Sequence, residues 1–198
     1  MPRASGAHAV RLIDELRRAV EEFDPKGHRD VRLARRRTLR LLKLATSALD
    51  RRHYDPGHVT ASGIVLSPDQ RDMLLVYHRR LDRWLQPGGH VERTDRSIAG
   101  AAMREVFEET GVVTRHDVVP RMVGISVHQI PQSSREPAHL HHDIVWRFVA
   151  ANTRLGTNGE RQRAVWCRMD ELERYDADAP LLRSVKRALA SPSPRDEG

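Results

Sequence analysis

The chain has 198 residues, of which 39% are hydrophobic and 31% are charged, with one cysteine and a formal net charge of +7. This length fits one domain of ordinary size, or one domain with a small helical extension, and the apolar fraction excludes wholesale disorder. One cysteine excludes an internal disulfide, and no run of roughly 18 apolar residues is present to cross a membrane. Because Arg11, Asp14 and Glu15 interrupt the first apolar stretch, no signal peptide is predicted and a cytoplasmic location is expected.

The excess positive charge is concentrated near the N-terminus. Residues 1–55 contain 14 Lys and Arg against 8 Asp and Glu, whereas residues 56–198 contain 20 against 19. The cluster formed by residues 35–37 and Arg40 could bind phosphates of a nucleic acid or a nucleotide, or form a solvated helix face. Since 31 of the 34 basic residues are arginine, a general arginine bias explains the cluster as readily.

Two helices are predicted in this basic segment. The first covers residues 9–23, ends at Asp24–Gly27, and has apolar residues at helical spacing. These are Val10, Ile13, Leu16, Val20 and Phe23. The second covers residues 30–49 and has Leu39, Leu42 and Leu44 among its apolar positions. The turn residues 54–57 then end the helical extension.

After residue 57 strands and helices alternate. Strands are predicted at 58–66, 73–78, 123–130, 144–150 and 165–169. Helices are predicted at 97–110, ended by Gly111, and at 170–174 and 181–189, with loops at 85–89 and 131–140. The predicted organisation is a helical extension at 1–55, an α/β (α+β) domain at 56–190 and a flexible tail at 191–198.

Three glutamates of the predicted helix 97–110 share one face. Glu105, Glu108 and Glu109 have the spacing i, i+3, i+4, which places their carboxylates together. Their mutual repulsion favours a counter-charge, which Arg104 or a divalent cation would supply, although three acids on a helix more often form a solvated face. Carboxylate oxygens suit Mg²⁺ or Mn²⁺, which retain waters and reach substrate phosphates. The residues expected to pack against a sheet are Ala101, Ala102, Val106 and Phe107.

The stretch around these glutamates carries a more specific pattern. Residues 104–112, REVFEETGV, match at every position the second half of the Nudix signature G-x5-E-x7-R-E-U-x-E-E-x-G-U, where U is aliphatic. Counting from Gly89, Asp95 stands at the position of the first glutamate, and eight residues instead of seven precede Arg104. The chain thus resembles the Nudix hydrolase family, with a variant box whose loop is one residue longer. In this position Asp95 is a candidate for the catalytic helper role of the family's first glutamate.

The resemblance implies a Nudix-like mixed sheet sandwiched between helices and hydrolysis of the diphosphate linkage in a nucleoside diphosphate derivative. It implies that Glu105, Glu108 and Glu109, with the backbone carbonyl of Gly89, hold Mg²⁺ or alternatively Mn²⁺. Arg104 would orient a neighbouring glutamate, and Glu109 would lie nearest the attacking water. A nucleoside triphosphate, a nucleotide sugar and a nucleotide alcohol all fit as substrates.

A second polar stretch lies at residues 136–143. In a strand over 139–147, His139, His141 and Asp143 would share one face, opposite an apolar face that includes His142. Such a polar face could supply a general base, a phosphate contact or an extra metal site, or it could simply face solvent. Because Nudix enzymes often take their base from outside the box, Glu136 and Asp143 are candidates. A dedicated zinc site is not favoured, since no water-ordering glutamate helix accompanies the histidines.

Other positions have narrower interpretations. His78, Arg79 and Arg80 follow a predicted strand, where they could contact substrate phosphates. Trp84 could stack on a base, although a tryptophan beside a structural turn is more often part of a core. Cys167 is predicted to be a buried, inert thiol. This disfavours isopentenyl-diphosphate isomerases, which share the architecture but require a catalytic cysteine early in the domain.

Two functions therefore compete. The first is a Mg²⁺-dependent pyrophosphohydrolase, and the alternative is a nucleotide-sensing or nucleic-acid-binding module with little catalysis. The intact set of three carboxylates favours the enzyme, because a sensor does not need all three. The N-terminal helices could bind nucleic acid, form a homodimer or cover a cleft.

Overall fold

The computed structural model describes residues 3–79, 81–156 and 163–190. The predicted tail at 191–198 and Arg80 lie outside these ranges. The helices are α1 (Arg3–Glu22), α2 (Arg29–Leu44), α3 (Ile98–Thr110) and α4 (Ala179–Leu189), with a 3-10 helix at Met169–Tyr175. The strands are β1 (Gly57–Leu66), β2 (Asp72–His78), β3 (Arg83–Leu85), β4 (Gly88–His90), β5 (Arg121–Ile130), β6 (His139–Val149) and β7 (Ala164–Arg168).

The strands form one sheet with β1 and β2 among its central members. The hydrogen-bonded order is β3-β2-β1-β6-β5, with β4 paired to β1 and β7 paired to β2. β2 and β7 are antiparallel, and Met73 lies opposite Cys167. This combination of helices and a seven-stranded sheet confirms the predicted α+β class with an N-terminal helical region. Among the described helices none combines the length and apolar character needed to cross a bilayer.

The chain divides into two compact units. One comprises residues 1–61, 89–101 and 125–144, and the other comprises residues 62–88, 102–124 and 145–198. The N-terminal helices therefore belong to the same unit as the loop before α3 and parts of β5 and β6. The domain boundary at residue 55 stays a prediction.

Helix α1 begins earlier than predicted, and its buried stripe is shifted. Leu12, Leu16 and Val20 are at most 2% exposed, whereas Val10, which was expected in the stripe, is 49% exposed. The i, i+4, i+8 spacing of the three buried residues sets the centre of the stripe, and Val10 falls outside that arc. The buried stripe is completed by Ile13 and by Phe23 just beyond the helix.

Helix α2 ends five residues before its predicted end. The backbone of Ala45 is extended, with φ −119° and ψ 108°, and a series of turns follows over residues 45–53. Leu44 is consequently 70% exposed, while Leu42 is buried as expected. The spacing of the leucines favours a longer helix, but the next buried residue after Leu42 is Ala48, which lies in a turn. The carbonyl of Ala48 accepts the N–H of Val59 over 2.8 Å.

The basic cluster of α2 is not uniform. Nε of Arg35 donates a 2.8 Å hydrogen bond to the carbonyl of Val20, and its guanidinium also contacts the carbonyl of Glu21. A cation at these last carbonyls of α1 complements the negative end of the helix dipole. Arg36, Arg37 and Arg40 are exposed. One member of the cluster therefore joins the two helices, and three face solvent.

The second unit has its own hydrophobic core. Its members come from β1, β2, β5, β6, β7, the 3-10 helix and α4. Cys167 is one of them, so the predicted buried thiol is confirmed, and burial raises its pKa to about 11. The buried Arg147 donates a 2.9 Å hydrogen bond to the carbonyl of Ala188, near the C-terminal end of α4. Its guanidinium thus satisfies a helix end where a cation is favoured.

The predicted loop at 85–89 is instead shared by two short strands. β3 ends at Leu85 and β4 begins at Gly88, so only residues 86 and 87 are non-strand. The carbonyl of Pro87 accepts the N–H of Gly63 over 2.9 Å, which fixes the connection against β1. Proline and paired glycines are typical of turns, so the sequence predicted a loop here and not the pairing of β3 with β2 and of β4 with β1.

Candidate functional site

Helix α3 carries the predicted carboxylates on a face that is partly buried. Ala101, Ala102 and Val106 are completely buried, and at about 100° per residue Glu109 falls in the middle of the arc they define. Phe107, which was expected to pack with them, falls on the opposite side and is 48% exposed. The apolar side of the helix therefore turns Glu109 inward and leaves Phe107 out.

A glycine in β1 allows this helix to approach the sheet. A Cβ atom at Gly63 would lie 2.9 Å from Cγ2 of Val106 and 3.0 Å from the ring of Phe148. Such distances are shorter than van der Waals contact, so a larger residue would push α3 outward. At its C-terminal end the helix stops at Gly111, whose φ of +73° suits glycine, as the sequence predicted.

The three glutamates are ordered by two different donors. Nη1 of Arg104 donates hydrogen bonds to Oε1 of Glu105 over 2.9 Å and to Oε2 of Glu108 over 3.0 Å. The backbone N–H of Gly88 donates to Oε2 of Glu109 over 3.0 Å. Of the two glutamates that Arg104 bridges, Glu108 is the more exposed, with 55% of its side chain accessible to solvent against 16% for Glu105.

The environment of Glu109 disfavours its charged form. Burial raises the pKa of Glu109 to about 7, the Gly88 N–H opposes the rise, and the charges of Glu105 and Glu108 add to it. A carboxyl group that titrates near neutrality beside other carboxylates is typical of catalytic and metal sites. Three carboxylates on one helix face form the hard oxygen donor set that Mg²⁺ prefers, so these residues fit the ion that the family resemblance implies.

Asp95 holds the longer loop of the variant box. It is buried, and its Oδ2 accepts the backbone N–H of Glu92 over 2.8 Å. Its carbonyl oxygen lies 2.8 Å from Nε2 of His8 in α1, and Nη2 of Arg11 donates to the carbonyl of Arg96 over 3.3 Å. The carboxylate therefore shapes the turn, and the N-terminal helix contacts the same loop. A catalytic role for Asp95 stays a prediction.

The residues after β2 are held by local contacts. Nδ1 of His78 accepts the N–H of Leu81 over 3.2 Å, and Arg79 is exposed. Trp84 packs against the core of the second unit, with its ring edge-to-face to Tyr77 and Tyr175 at 5.4 Å. This agrees with the core interpretation of Trp84. Arg80, predicted alongside His78, lies outside the described residues.

The polar stretch at 136–143 forms the loop before β6 and the first part of that strand. Asp143 is buried and accepts the hydroxyl of Thr60 over 3.1 Å, and Glu136 lies 3.8 Å from the guanidinium of Arg51. His139 and His142 are also buried, so these positions do not form a solvent-facing strand. His142 lies on the apolar side as predicted, with its Nδ1 3.0 Å from the hydroxyl of Thr38.

His141 belongs to a cluster with His58 and His90 that was not predicted from the sequence. One ring nitrogen each of His58, His90 and His141 lies within 4.8 Å of the others. Burial, together with the charges of neighbouring histidines, lowers the pKa of His141 to about 2 and that of His90 to about 4. The sequence feature that could have indicated His58 is the alternation of His58, Thr60 and Ser62 with apolar residues in β1. This alternation predicts a polar face on a buried strand.

Comparisons with known proteins identify the family and the fold. The family model of the NUDIX domain matches residues 56–189. The fold is similar to that of a mutator MutT protein from Bacillus halodurans, with 22% identity, a TM-score of 0.51, and coverage of 67% of this chain and 82% of that chain. A comparison with curated proteins found no match.

Two further solved structures share the fold. The NUDIX domain of Shewanella oneidensis NrtR, solved with ADP-ribose, has 15% identity and a TM-score of 0.50 over 87% of this chain and 95% of that chain. The Escherichia coli dihydroneopterin triphosphate pyrophosphohydrolase has 14% identity and a TM-score of 0.50 over 65% and 92%. Since the family model covers more than half of the chain and includes α3 with its glutamates, the chain belongs to the Nudix hydrolase family.

Proposed function

We propose that the chain hydrolyses, with Mg²⁺, the diphosphate linkage of a nucleoside diphosphate derivative such as a nucleoside triphosphate, a nucleotide sugar or a nucleotide alcohol. The observation that carries this proposal is the arrangement of α3, where three carboxylates share one face and Glu109 accepts the N–H of Gly88. A solvated helix face would not need a desolvated glutamate whose pKa is raised to about 7.

In this proposal Glu105, Glu108 and Glu109, with the backbone carbonyl of Gly89, hold the ion, and Mn²⁺ is an alternative to Mg²⁺. The bound ion supplies charge neutralisation at the diphosphate and lowers the pKa of water. Arg104 positions Glu105 and Glu108 through its two hydrogen bonds and does not itself contact substrate. Glu109, held by Gly88, accepts the proton of the attacking water.

The remaining candidates have supporting roles in the same proposal. Asp143 and Asp95 are buried and already accept hydrogen bonds from Thr60 and from the loop backbone, so we assign them to positioning. Glu136 is the more accessible candidate for an additional base, with 26% of its side chain exposed. The phosphate-binding candidates are His78, Arg79, Arg80, His139 and His141.

The test is a panel of nucleotides and nucleotide conjugates assayed with Mg²⁺, with identification of both products. ADP-ribose and dihydroneopterin triphosphate belong in the panel because structures of similar fold carry those names. We expect release of a nucleoside monophosphate or of phosphate, loss of turnover on removal of Mg²⁺, and loss of turnover in the Glu108→Gln/Glu109→Gln double variant. Full activity of that double variant would refute the assignment of the site.

The matched control is Glu173→Gln, which removes an exposed carboxylate outside α3. The alternative, a nucleotide-sensing or nucleic-acid-binding module, predicts a different result. It requires nucleotide binding without turnover, or DNA or RNA binding that weakens with salt and disappears when Arg36, Arg37 and Arg40 are changed to Gln.

A further inference from the structure

Five histidines of the first unit lie together, and none of them is among the groups that hold Mg²⁺ or accept the proton of water in the proposed hydrolysis. His58 is the centre of the group, with its ring centroid 4.8 Å from His141, 5.0 Å from His139 and 5.1 Å from His90. The fifth, His128, lies 5.6 Å from His141. They come from β1, β4, β5 and β6, so the sheet assembles them from distant parts of the sequence.

Imidazoles packed at these distances bring together ring nitrogens that can each offer a lone electron pair to a ligand. Aromatic packing alone does not explain why five histidines, and not apolar aromatic residues, occupy this part of the sheet. A ligand that accepts electron pairs from nitrogen is the complementary species.

The orientation of His58 is that of a metal ligand. Its side chain is 1% exposed, and its Nδ1 donates a 3.2 Å hydrogen bond to the carbonyl of His53. This bond places the proton on Nδ1 and leaves the electron pair on Nε2. Within the described residues Nε2 of His58 is buried and has no hydrogen-bond partner. Metal-binding histidines characteristically donate one ring N–H to a carbonyl and bind the ion through the other nitrogen.

His141 has a comparable second contact. Nδ1 of His139 donates a 2.8 Å hydrogen bond to the carbonyl of Pro137. Nε2 of His139 lies 3.2 Å from Nε2 of His141. These contacts orient the ring of His141, as the carbonyl of His53 orients the ring of His58.

The separation of the nitrogens fits one ion. One ring nitrogen from each of His58, His90 and His141 lies within 4.8 Å of the others. Ligand nitrogens about 2.0–2.1 Å from a tetrahedral Zn²⁺ ion are themselves somewhat more than 3 Å apart. Small side-chain rotations are enough to close the remaining difference. His90 is half-buried, which leaves one side of the cluster accessible to an ion.

We propose that His58, His90 and His141 bind one divalent transition-metal ion, with Zn²⁺ as the best-fitting species. Three imidazoles leave the fourth tetrahedral position open for water or for an anionic oxygen of a ligand. Nitrogen ligands favour Zn²⁺, Co²⁺ or Ni²⁺ over Mg²⁺, so this site differs in metal preference from the carboxylates of α3. From the sequence, zinc was not favoured at residues 136–143 because no water-ordering glutamate helix accompanies these histidines, and His58 and His90 were not grouped with them.

The test is a titration of the full-length protein with Co²⁺ in the Glu108→Gln/Glu109→Gln background, which silences the proposed Mg²⁺ carboxylates. We expect one Co²⁺ per chain with the intense visible absorption of four-coordinate Co²⁺, displaced by Zn²⁺. His90→Gln and His141→Gln should each weaken Co²⁺ binding by about 100-fold or more. Loss of a residue that only hydrogen-bonds to a metal ligand already lowers metal affinity by about 10–100-fold. His116→Gln, at an exposed histidine outside the cluster, should bind Co²⁺ normally.

Absence of Co²⁺ and Zn²⁺ binding, or equal affinity in the two cluster variants and the control, would overturn the proposal. Binding of inorganic phosphate to the metal-free protein in place of Co²⁺ would show instead that the cluster is an anion site. A direct measurement that needs no variant is the ¹⁵N NMR spectrum of the imidazoles during a Zn²⁺ titration. The resonances of His58, His90 and His141 must shift together at one equivalent, and a uniform small shift of all histidines would also overturn the proposal.

Discussion

The backbone N–H of Gly88 donates a 3.0 Å hydrogen bond to Oε2 of Glu109 and thereby links β4 to α3. The donor is uncharged, so it orients the carboxylate without neutralising it. Because burial and the neighbouring glutamates outweigh this bond, the pKa of Glu109 is raised to about 7. The side chain is thus held in place in an environment that penalises its charge, and binding of a cation would remove that penalty.

We predict that Glu109→Gln lowers kcat/KM by about 100-fold or more, the scale expected when a proton-accepting group is lost. Glutamine keeps the size of the side chain and its ability to accept the Gly88 N–H, but it has no charge for the ion and no affinity for a proton. The measurement is steady-state kinetics with saturating Mg²⁺ and the best substrate of the panel. Glu173→Gln should retain full activity, and equal kinetics for the two variants would contradict the assigned role of Glu109.

The raised pKa also predicts a dependence of stability on pH. Between the usual 4.5 and about 7, folded Glu109 retains a proton that the unfolded chain has lost, so this group makes the metal-free protein less stable as pH rises. We expect Glu109→Gln to be more stable than the unmodified protein at pH 8 in EDTA, and the difference to shrink at pH 5. Urea unfolding at both pH values measures the free energies.

Mg²⁺ provides the control for this second prediction. At pH 8 the ion should stabilise the unmodified protein by binding the ionised carboxylates, and it should stabilise Glu109→Gln much less. A variant that is destabilised at both pH values would show that Glu109 contributes packing and not an electrostatic penalty.

The sequence predicted the acidic face of α3 because helical periodicity is local. The prediction that Phe107 packs against the sheet was wrong because the sheet determines which arc of α3 is buried. The sequence alone does not show that arc. Gly63 and Val106, which define the contact, are 43 positions apart in the chain.

The histidine cluster shows the corresponding limit for the site. His139 and His141 were found as neighbours in one predicted strand, whereas His58 and His90 join them only through the pairing of β1 with β4 and β6. Strand pairing depends on register and on long-range contacts, which a single sequence does not display. The strands at 83–85 and 88–90 were missed for the same reason, because their pairing overrides the turn signal of Pro87.

We predict that Gly63→Ala destabilises the protein by about 1–3 kcal/mol, the usual cost of overpacking. The added Cβ would lie 2.9 Å from Cγ2 of Val106, so α3 or β1 must move. Activity should fall with stability because α3 carries the carboxylates. Gly6→Ala is the control, since Gly6 lies in α1 with no atom within 4 Å of an added Cβ, and alanine there should be neutral or stabilising by up to about 1 kcal/mol.

Urea unfolding and steady-state kinetics of both glycine variants decide this prediction. If Gly63→Ala is as stable as Gly6→Ala and fully active, then α3 is not held against β1 through Gly63.

Arg35 gives a prediction that separates structural from phosphate-binding arginines in the basic cluster. Nε of Arg35 donates to the carbonyl of Val20 over 2.8 Å, so Arg35→Ala should reduce the free energy of unfolding by about 1.5–3 kcal/mol, as for other hydrogen bonds to charged groups. Arg36 is exposed, and Arg36→Ala should change the free energy of unfolding by less than about 0.5 kcal/mol. Urea unfolding of the two variants measures this difference at a matched change of net charge.

The kinetics of the same two variants complete the argument. If Arg35 only joins α2 to α1, then Arg35→Ala leaves KM unchanged at a temperature where the variant remains folded. If the cluster instead binds substrate phosphate, Arg36→Ala raises KM without a loss of stability, and both effects weaken as salt is added. An Arg35→Ala variant with normal stability and a raised KM would refute the structural assignment, because capping of α1 would then contribute nothing measurable.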